Sequence, residues 1–139
     1  MTDQELIRRA LLARERAYTP YSHFQVGAAL LTRTGTVYPG CNIENAAYTP
    51  TNCAERTAFF SAVAQGEREF AAIAIVGGPQ GGALDYTAPC GVCRQVMMEF
   101  CDPDTFRILA ARSPEDYRVF TLRELMPQSF GPADLAKKS

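Results

Sequence analysis

Apolar residues near the start of the chain recur every three or four positions, which is the spacing of one face of an amphipathic helix. Thr2 and Glu5 form a capping-box pattern at the front of this segment, and Pro20 follows its end. We therefore predict a first helix over residues 3–18. Its apolar positions are Leu6, Ile7, Ala10, Leu11 and Ala17.

Continuous apolar runs predict the buried strands. Residues 25–33 are mostly small or branched, and a turn at Thr34 and Gly35 leads into residues 36–42, a pattern typical of a β-hairpin. Residues 70–76 read Phe-Ala-Ala-Ile-Ala-Ile-Val, without a polar position. A strand with that pattern is expected at the centre of a sheet that has helices on both faces.

Two further helices are predicted in the middle of the chain. Residues 54–65 are rich in alanine and phenylalanine, and Gly66 follows where a C-terminal cap is expected. Residues 91–102 carry a second helical pattern in front of Pro103. The remaining predicted elements are strands near residues 105–111 and 117–121 and a short helix after Leu122.

The alternation of helices with strands favours a single α/β domain over residues 1–139, built as a three-layer α/β/α sandwich on a mixed sheet of about five strands. With 139 residues, 47% of them hydrophobic, the chain can fill one core. The glycine-rich segment 77–82 lacks the lysine and hydroxyl residue of a phosphate-binding loop, so we interpret it as a plain loop.

Charge and the N-terminal sequence disfavour several classes of function. The formal net charge is −1 with acidic and basic residues interspersed, so the strong positive field that nucleic-acid binding requires is absent. No long apolar run precedes Arg8 and Arg9, so we expect neither a secretory signal nor a membrane anchor. These features predict a cytoplasmic protein without nucleic-acid or membrane partners.

Three of the five cysteines have the spacing of a metal site. Cys90 and Cys93 are three residues apart at the start of a predicted helix, and Cys53 can supply a third ligand from the start of another. Three thiolates leave one tetrahedral position open for water, as in a catalytic zinc site. Glu55 is close enough to that water to act as a general base without binding the metal. The sequence therefore predicts a hydrolytic zinc site.

The charge of this site suggests a function for Arg56. Zinc with three thiolates is already negative, and an ionised Glu55 adds to that charge, although two helix N-termini offset part of it. We predict that Arg56 donates hydrogen bonds to a ligand sulfur and withdraws electron density from it. The alternative is that Arg56 is a solvated helix residue.

Two motifs together, Cys53-Ala54-Glu55 and Pro89-Cys90-Gly91-Val92-Cys93, resemble the signature of the zinc nucleoside and nucleobase deaminases. Residues 21–29 and 42–48 narrow the resemblance to the small cytidine deaminases and extend it over nearly the whole chain. Many relatives have histidine in place of Cys53, so the chain is similar to the all-cysteine variant of the family.

The resemblance implies a reaction and an assembly. A zinc hydrolase with one zinc ion per subunit, and with Glu55 as base and then acid, would convert cytidine or 2′-deoxycytidine to uridine or 2′-deoxyuridine. The reaction would hydrolyse the C–N bond of a cyclic amidine and release ammonia. It would serve pyrimidine salvage. The resemblance also implies a homotetramer in which Phe130 reaches into the site of a neighbouring subunit. From the residues alone, Phe130 could instead cap the core of its own chain.

Contacts to the nucleoside are likewise implied by the resemblance. Asn42 and Glu44 are two residues apart at a predicted strand end, so their side chains point the same way, and they are expected to bind the ribose hydroxyls. Phe24 is expected to stack on the base. The alternatives are turn chemistry for Asn42 and Glu44 and core packing for Phe24. The expected substrate contacts also include Ala54, and Ala46 and Tyr48, which match positions near a neighbouring subunit's site.

Two other functions remain open on the residues alone. A structural zinc module would complete the metal's coordination with Cys41, Cys101 or His23, although it leaves Glu55 without a function. We interpret His23 instead as a surface or packing residue. A deaminase that acts on a cytosine-derived antibiotic or a modified nucleoside could share both zinc motifs.

Overall fold

A computed structural model of the chain describes residues 1–136, which form five helices and five strands. The helices are α1 (Asp3–Arg14), α2 (Ala54–Ala64), α3 (Gly91–Phe100), α4 (Leu122–Leu125) and α5 (Pro132–Ala136). The strands are β1 (Phe24–Thr32), β2 (Val37–Cys41), β3 (Phe70–Pro79), β4 (Arg107–Ser113) and β5 (Asp116–Thr121). Their order along the chain is α1-β1-β2-α2-β3-α3-β4-β5-α4-α5. Of these described helices, none has the length and apolar character needed to cross a membrane.

The strands form one mixed sheet in the order β2-β1-β3-β4-β5. Neighbouring strands are antiparallel except β3 and β4, which run parallel and are joined through α3. The predicted hairpin of β1 and β2 is confirmed. The predicted central position of the apolar strand is also confirmed, because β3 pairs with a strand on each side and is buried along almost all of its length.

Helices cover both faces of the sheet, which confirms the three-layer sandwich. On one face, α1 packs its apolar stripe against small and branched residues of β1, β3 and β4. On the other face, α2 and α3 enclose a larger core around Phe59, whose ring contacts those of Phe70, Phe100 and Phe106. Phe59 is fully buried, and burial of a side chain of this size stabilises the fold by about 1.5–3 kcal/mol.

Two predicted boundaries are wrong, and tertiary pairing explains both. Helix α1 ends at Arg14 and not near residue 18, because Tyr18 leaves the helix and forms a parallel bridge with Ile43. Residues 77–79 are not part of a loop, because they extend β3 alongside the first residues of β1. The other predicted elements end within about two residues of the observed ones, which is the usual uncertainty of such boundaries.

Two glycines allow helices to approach the hairpin closely. A Cβ atom at Gly27 would lie 2.1 Å from the carbonyl oxygen of Ala10 in α1. A Cβ atom at Gly40 would lie 2.3 Å from the carbonyl oxygen of Ala54 in α2. Both distances are far inside van der Waals contact, so no larger residue fits without moving a helix backbone. Gly40 thereby sets how closely the first turn of α2 approaches the sheet.

Asp3 connects the start of α1 to β4 and β5. Its two carboxylate oxygens each accept a hydrogen bond from Arg107 at 2.8 Å, and the Tyr117 hydroxyl donates to Oδ2 at 3.1 Å. The hydrogen bond from Arg107 holds the pKa of Asp3 below its usual value. The arrangement is bidentate, which is the stronger geometry for a guanidinium and a carboxylate.

We expect Asp3→Asn to lower the free energy of unfolding by about 0.5–1.5 kcal/mol at pH 7, a modest value because the pair is partly exposed to solvent. Since the folded-state pKa is depressed, the stabilisation is present above the unfolded pKa of about 4 and is lost as the pH falls through the folded pKa. Urea unfolding at pH 7 and at pH 3 should therefore show that the free energies of unfolding of variant and parent differ less at pH 3 than at pH 7. An equal difference at both pH values would contradict this assignment.

Candidate active site

Three cysteine sulfurs converge where α2 and α3 begin. Cys53 is the N-cap residue of α2, Cys90 is the N-cap residue of α3, and Cys93 lies in the first turn of α3. The three Sγ atoms all lie within 4.8 Å of one another, with 3.9 Å between Cys53 and Cys90 and 3.5 Å between Cys90 and Cys93. A disulfide needs about 2.05 Å, so the sulfurs are free to bind a metal. The predicted meeting of the two motifs is confirmed.

The surroundings of the sulfurs favour a thiolate at Cys53 and a thiol at Cys93. The interaction with Cys93, together with a hydrogen bond from Arg56, lowers the pKa of Cys53 to about 5. The pKa of Cys93 is raised, because its interaction with Cys53 and its burial both favour the thiol form. The positive ends of α2 and α3 add to the stabilisation of thiolates. A metal ion bound here would release the remaining thiol protons.

This ligand group has three members and no fourth within the described residues 1–136. Cys41 lies at the end of β2, Cys101 is buried beyond the end of α3, and His23 is exposed in front of β1. The hypothesis of a structural zinc module closed by one of these residues is therefore wrong. Three thiolates with one open position are the donor set of a catalytic zinc ion, and the residues present fit that ion.

Glu55 is buried beside the sulfurs, in the first turn of α2. Its residue surface is only 4% exposed, and burial raises its pKa to about 7. A carboxyl group with a pKa near neutrality can both accept and donate a proton under physiological conditions. The geometry thus places a carboxyl group with a suitable pKa next to Cys53 without making it a member of the ligand group, while its function as general base stays a prediction.

A cavity of about 210 Å³ opens next to Glu55 and the sulfurs. Its walls come from β1, the residue after β2, the start of α2 and the segment before α3. Sequence reasoning missed five of its lining residues, although four of these lie close in sequence to Cys53 or Cys90, which is the signal that could have found them. The cavity is lined by Val26, Asn42, Thr51, Asn52, Cys53, Ala54, Glu55, Thr87, Ala88 and Cys90, of which Val26, Thr51, Asn52, Thr87 and Ala88 were missed.

Arg56 lies beside the sulfurs. Its Nη2 atom donates a hydrogen bond to Cys53 Sγ at 3.2 Å, and the interaction with Cys53 raises the pKa of Arg56. Its Nε atom is buried without a hydrogen-bond partner among the described residues. The guanidinium therefore belongs to the site and is not a solvated group, while its effect on a bound metal stays a prediction.

Asn42 connects the cavity to the backbone of β1. Its Oδ1 atom accepts a hydrogen bond from the Val26 amide at 2.9 Å, and its Nδ2 atom donates to the Phe24 carbonyl at 2.8 Å. Asn42 also lines the cavity, as its predicted contact with substrate requires. The bonds that hold the turn also fix the direction of the amide, while the contact of Asn42 with substrate stays a prediction.

Glu44 binds the backbone in front of β1. Its carboxylate accepts hydrogen bonds from the Ser22 hydroxyl, the Tyr21 amide at 3.0 Å and the Ser22 amide at 3.1 Å. The hydrogen bond from the Ser22 side chain holds the pKa of Glu44 below its usual value. Glu44 lines a neighbouring depression with Tyr21 and Tyr48 and is not among the residues that line the cavity.

The other predicted substrate contacts fall into two groups. Ala54 is buried and lines the cavity, whereas Phe24, Ala46, Tyr48 and Phe130 do not line it in the single chain. Tyr48 is 72% exposed and Phe130 is 59% exposed. Phe130 therefore does not cap the core of its own chain, and Phe24, at 39% exposed, is not a core residue.

Comparisons with known proteins agree with this geometry. The sequence profile of a family described as "Cytidine and deoxycytidylate deaminase zinc-binding region" matches residues 1–108, which include all three cysteine ligands. A cytidine deaminase from Sporosarcina psychrophila is 48% identical over 98% of this chain and 96% of its own length. The crystal structure of a cytidine deaminase from Burkholderia pseudomallei is 52% identical with a TM-score of 0.84, covering 94% of this chain and 100% of that one. A cytidine deaminase from Mycobacterium tuberculosis is 36% identical with a TM-score of 0.78, covering 94% of this chain and 98% of that one.

Proposed function

This chain belongs to the cytidine and deoxycytidylate deaminase family, and from that premise we propose that it hydrolyses cytidine and 2′-deoxycytidine to uridine and 2′-deoxyuridine. The observation that carries the proposal is the convergence of three cysteine sulfurs and a buried glutamate on one cavity. We further propose that residues 1–139 form a single catalytic domain that acts in pyrimidine salvage. Free thiols used as metal ligands are typical of the reducing cytoplasm, which is where we place the reaction.

Cys53, Cys90 and Cys93 hold one zinc ion per subunit. When bound, the ion supplies an activated water molecule as the nucleophile. The protein's own contribution is to stabilise the negative charge of the metal-bound thiolates with two helix N-termini and Arg56, and to leave one side of the site open to the cavity.

Glu55 moves the protons in the proposed reaction. As a carboxylate it takes a proton from the attacking water and, as a carboxylic acid, gives that proton to ring N3 of the cytosine. It then takes the remaining proton of the hydroxyl group added at C4 and passes it to the exocyclic amino group, which leaves as ammonia. The reaction thus consumes one water, leaves a carbonyl at C4 and returns Glu55 to its starting state. Its pKa of about 7 lets the same carboxyl group act in both directions.

Asn42 and Glu44 orient the ribose hydroxyls in this proposal. Asn42 Nδ2 has a second N–H beyond the one given to Phe24, and the Glu44 carboxylate has acceptor capacity beyond its bonds to residues 21–22. Both side chains are held by backbone bonds, so they need little reorganisation when a nucleoside binds. The backbone of Ala54, at the inner wall, completes the polar contacts to the base.

We propose a homotetramer with active sites shared between subunits. No aromatic ring is among the described residues that line the cavity, although ligand sites usually bury a flat ring against aromatic or apolar side chains. Phe24, Tyr48 and Phe130 present exposed rings instead. A neighbouring subunit that brings Phe130, with Ala46 and Tyr48, to this site would cover the base and bury apolar surface at the same time.

The direct experiment is to incubate the purified, zinc-loaded protein with cytidine and with 2′-deoxycytidine and to separate the products by chromatography. Both should yield the uracil nucleoside with one equivalent of ammonia. Free cytosine is the matched control, because it offers the same C4 amino group without the ribose that Asn42 and Glu44 bind, and it should react much more slowly. Absence of nucleoside turnover by protein with full zinc content would refute the proposal.

Mixing two impaired variants should raise activity if the sites are shared. Protomers with Glu55→Gln lack the proton carrier, and protomers with Phe130→Ala lack the covering ring. After subunit exchange, some mixed sites combine an intact Glu55 with an intact Phe130 from the neighbour. Turnover should then exceed the average of the two separate variants. Exchange that is demonstrated by mass spectrometry without such a gain would show that each chain builds its own site.

Arg56→Gln should reduce kcat/KM or zinc retention by about ten- to a hundredfold, because the hydrogen bond to Cys53 is lost and the site becomes more negative. Zinc loss to a coloured chelator and steady-state kinetics measure the two effects. Arg68→Gln is a suitable control, since Arg68 is an exposed arginine that donates only to the backbone carbonyls of Val63, in the last turn of α2, and Glu67. If Arg56→Gln behaves like this control in both measurements, Arg56 does not tune the metal.

A further inference from the structure

Arg94 joins the zinc-binding segment to the C-terminal part of the chain. It follows the ligand Cys93 directly, and its Nε atom donates to the Pro89 carbonyl at 2.7 Å, one residue before the ligand Cys90. Its Nη1 atom donates to the Leu125 carbonyl at 2.7 Å, at the end of α4. One half-buried guanidinium thus spans two segments that are separated by more than 30 residues.

Gln95, the next residue of α3, reaches further along the C-terminal segment. Its Nε2 atom donates to the carbonyl of Phe130 at 2.9 Å. One turn later on the same helix, the sulfur of Met98 accepts a hydrogen bond from the Ser129 hydroxyl at 3.4 Å. We call residues 125–131 the tail segment, which is therefore bonded to α3 at Leu125, Ser129 and Phe130.

These contacts hold the backbone at Phe130 and leave its ring free. The carbonyl is bonded to Gln95, while the residue as a whole remains 59% exposed. A tail segment that served only to cover the core of its own chain would bury its largest apolar side chain. An anchored backbone with a projecting aromatic ring is instead the form of a side chain presented to another molecule.

We propose that Arg94 and Gln95 are positioning residues that fix the tail segment on α3, so that the helix supplying two zinc ligands to one active site also places Phe130 over the site of a neighbouring subunit. This inference rests on the proposed function, in which Phe130 covers the nucleoside bound next door. Each copy of α3 then serves two sites, its own through Cys90 and Cys93 and the neighbour's through the tail segment.

Gln95→Met tests the tail contact alone, because methionine has a similar length but no donor for the Phe130 carbonyl. We expect KM for cytidine to rise about two- to tenfold, the usual weight of one hydrogen bond, with kcat and zinc content unchanged. Hydrogen exchange at the amides of residues 126 and 128–131 should become faster in the same variant. Glu99→Gln, a polar exchange one turn further along α3, is the matched control and should change neither quantity.

Two further variants test whether Arg94 and Gln95 act by fixing the tail segment or only through general packing. If Gln95 acts through the ring, the double variant Gln95→Met with Phe130→Ala should have the KM of Phe130→Ala alone, and additive effects would overturn the proposal. Arg94→Gln loses bonds at both ends, so zinc loss to a chelator and exchange in the tail segment should both become faster. Faster zinc loss with unchanged exchange in the tail segment would also overturn it.

The outcomes distinguish this proposal from the function on which it rests. Suppose that the parent protein deaminates cytidine and that Phe130→Ala raises KM, but that Gln95→Met does not. The proposed positioning function of Gln95 is then refuted, whereas the shared active site is still supported. If Phe130→Ala leaves KM unchanged, the shared active site is refuted. The proposed positioning function of Arg94 and Gln95 is then refuted as well, whatever hydrogen exchange in the tail segment shows. A parent protein that does not act on cytidine would instead refute the proposed reaction itself.

Discussion

Glu55→Gln should leave a folded, zinc-loaded protein whose kcat is lower by about two to four orders of magnitude. General acid and base catalysis by one side chain is worth about that much, and in the proposed reaction one carboxyl group serves several proton transfers. Glutamine keeps the size and polarity of Glu55 but cannot carry a proton. Because Glu55 is buried with a raised pKa, its replacement by a neutral amide should not destabilise the fold.

The measurement is turnover at saturating cytidine, with zinc content and the thermal midpoint recorded on the same preparation. Glu69→Gln makes the same chemical exchange at an exposed position before β3 and should retain the activity of the parent. Near-normal turnover by zinc-loaded Glu55→Gln would mean that another group carries the proton.

Gly40→Ala should lower the free energy of unfolding by about 3 kcal/mol or more and should also reduce zinc retention. The added Cβ would meet the Ala54 carbonyl at 2.3 Å and the Ala58 amide at 2.6 Å, both backbone atoms of α2 that cannot rotate away. Relief requires the first turn of α2 to move off the sheet. Cys53 and Glu55 lie in that turn or at its cap, so the site should be distorted together with the fold.

Urea unfolding and zinc release to a chelator measure these two effects. Gly91→Ala is the control for the loss of a glycine in itself, because a Cβ at Gly91 would meet no atom within 4 Å and a first-turn position suits alanine. The control should unfold within about 1 kcal/mol of the parent protein. If Gly40→Ala is as stable as this control, the close approach of α2 to β2 is not a structural requirement.

The parts of the molecule that the sequence predicts well are those set by neighbours along the chain. The capping box of Thr2 and Glu5 is a local hydrogen-bond pattern, and the structure contains both of its bonds. The zinc ligands are predictable for a related reason, since Cys90 and Cys93 depend only on the geometry of one helical turn. Their meeting with Cys53 was predicted from chemistry, because a catalytic zinc ion needs a third protein ligand and Cys53 lies next to the candidate base Glu55.

Features set by residues far apart in sequence could not be predicted in this way. Nothing local to Tyr18 shows that it will leave a helix to pair with Ile43, and the glycines at 77–78 look like a loop until β1 is placed beside them. The hydrogen bond from Arg94 to the Leu125 carbonyl could not be predicted from the sequence for the same reason. The exposure of Phe130 is a property of the folded surface, which the hydrophobic pattern of its short segment does not determine.

The close approaches at Gly27 and Gly40 also bear on the order in which the protein assembles. They pack α1, β1, β2 and α2 into a contiguous unit over residues 3–64, and contacts between segments so near in sequence cost little loop-closure entropy. We expect this unit to form early and the parallel pairing of β3 with β4, which needs a long crossover, to form late. Cys53 belongs to the early unit, whereas Cys90 and Cys93 arrive with the crossover. Zinc binding is then a late event in folding, one that locks the second half of the chain onto the first.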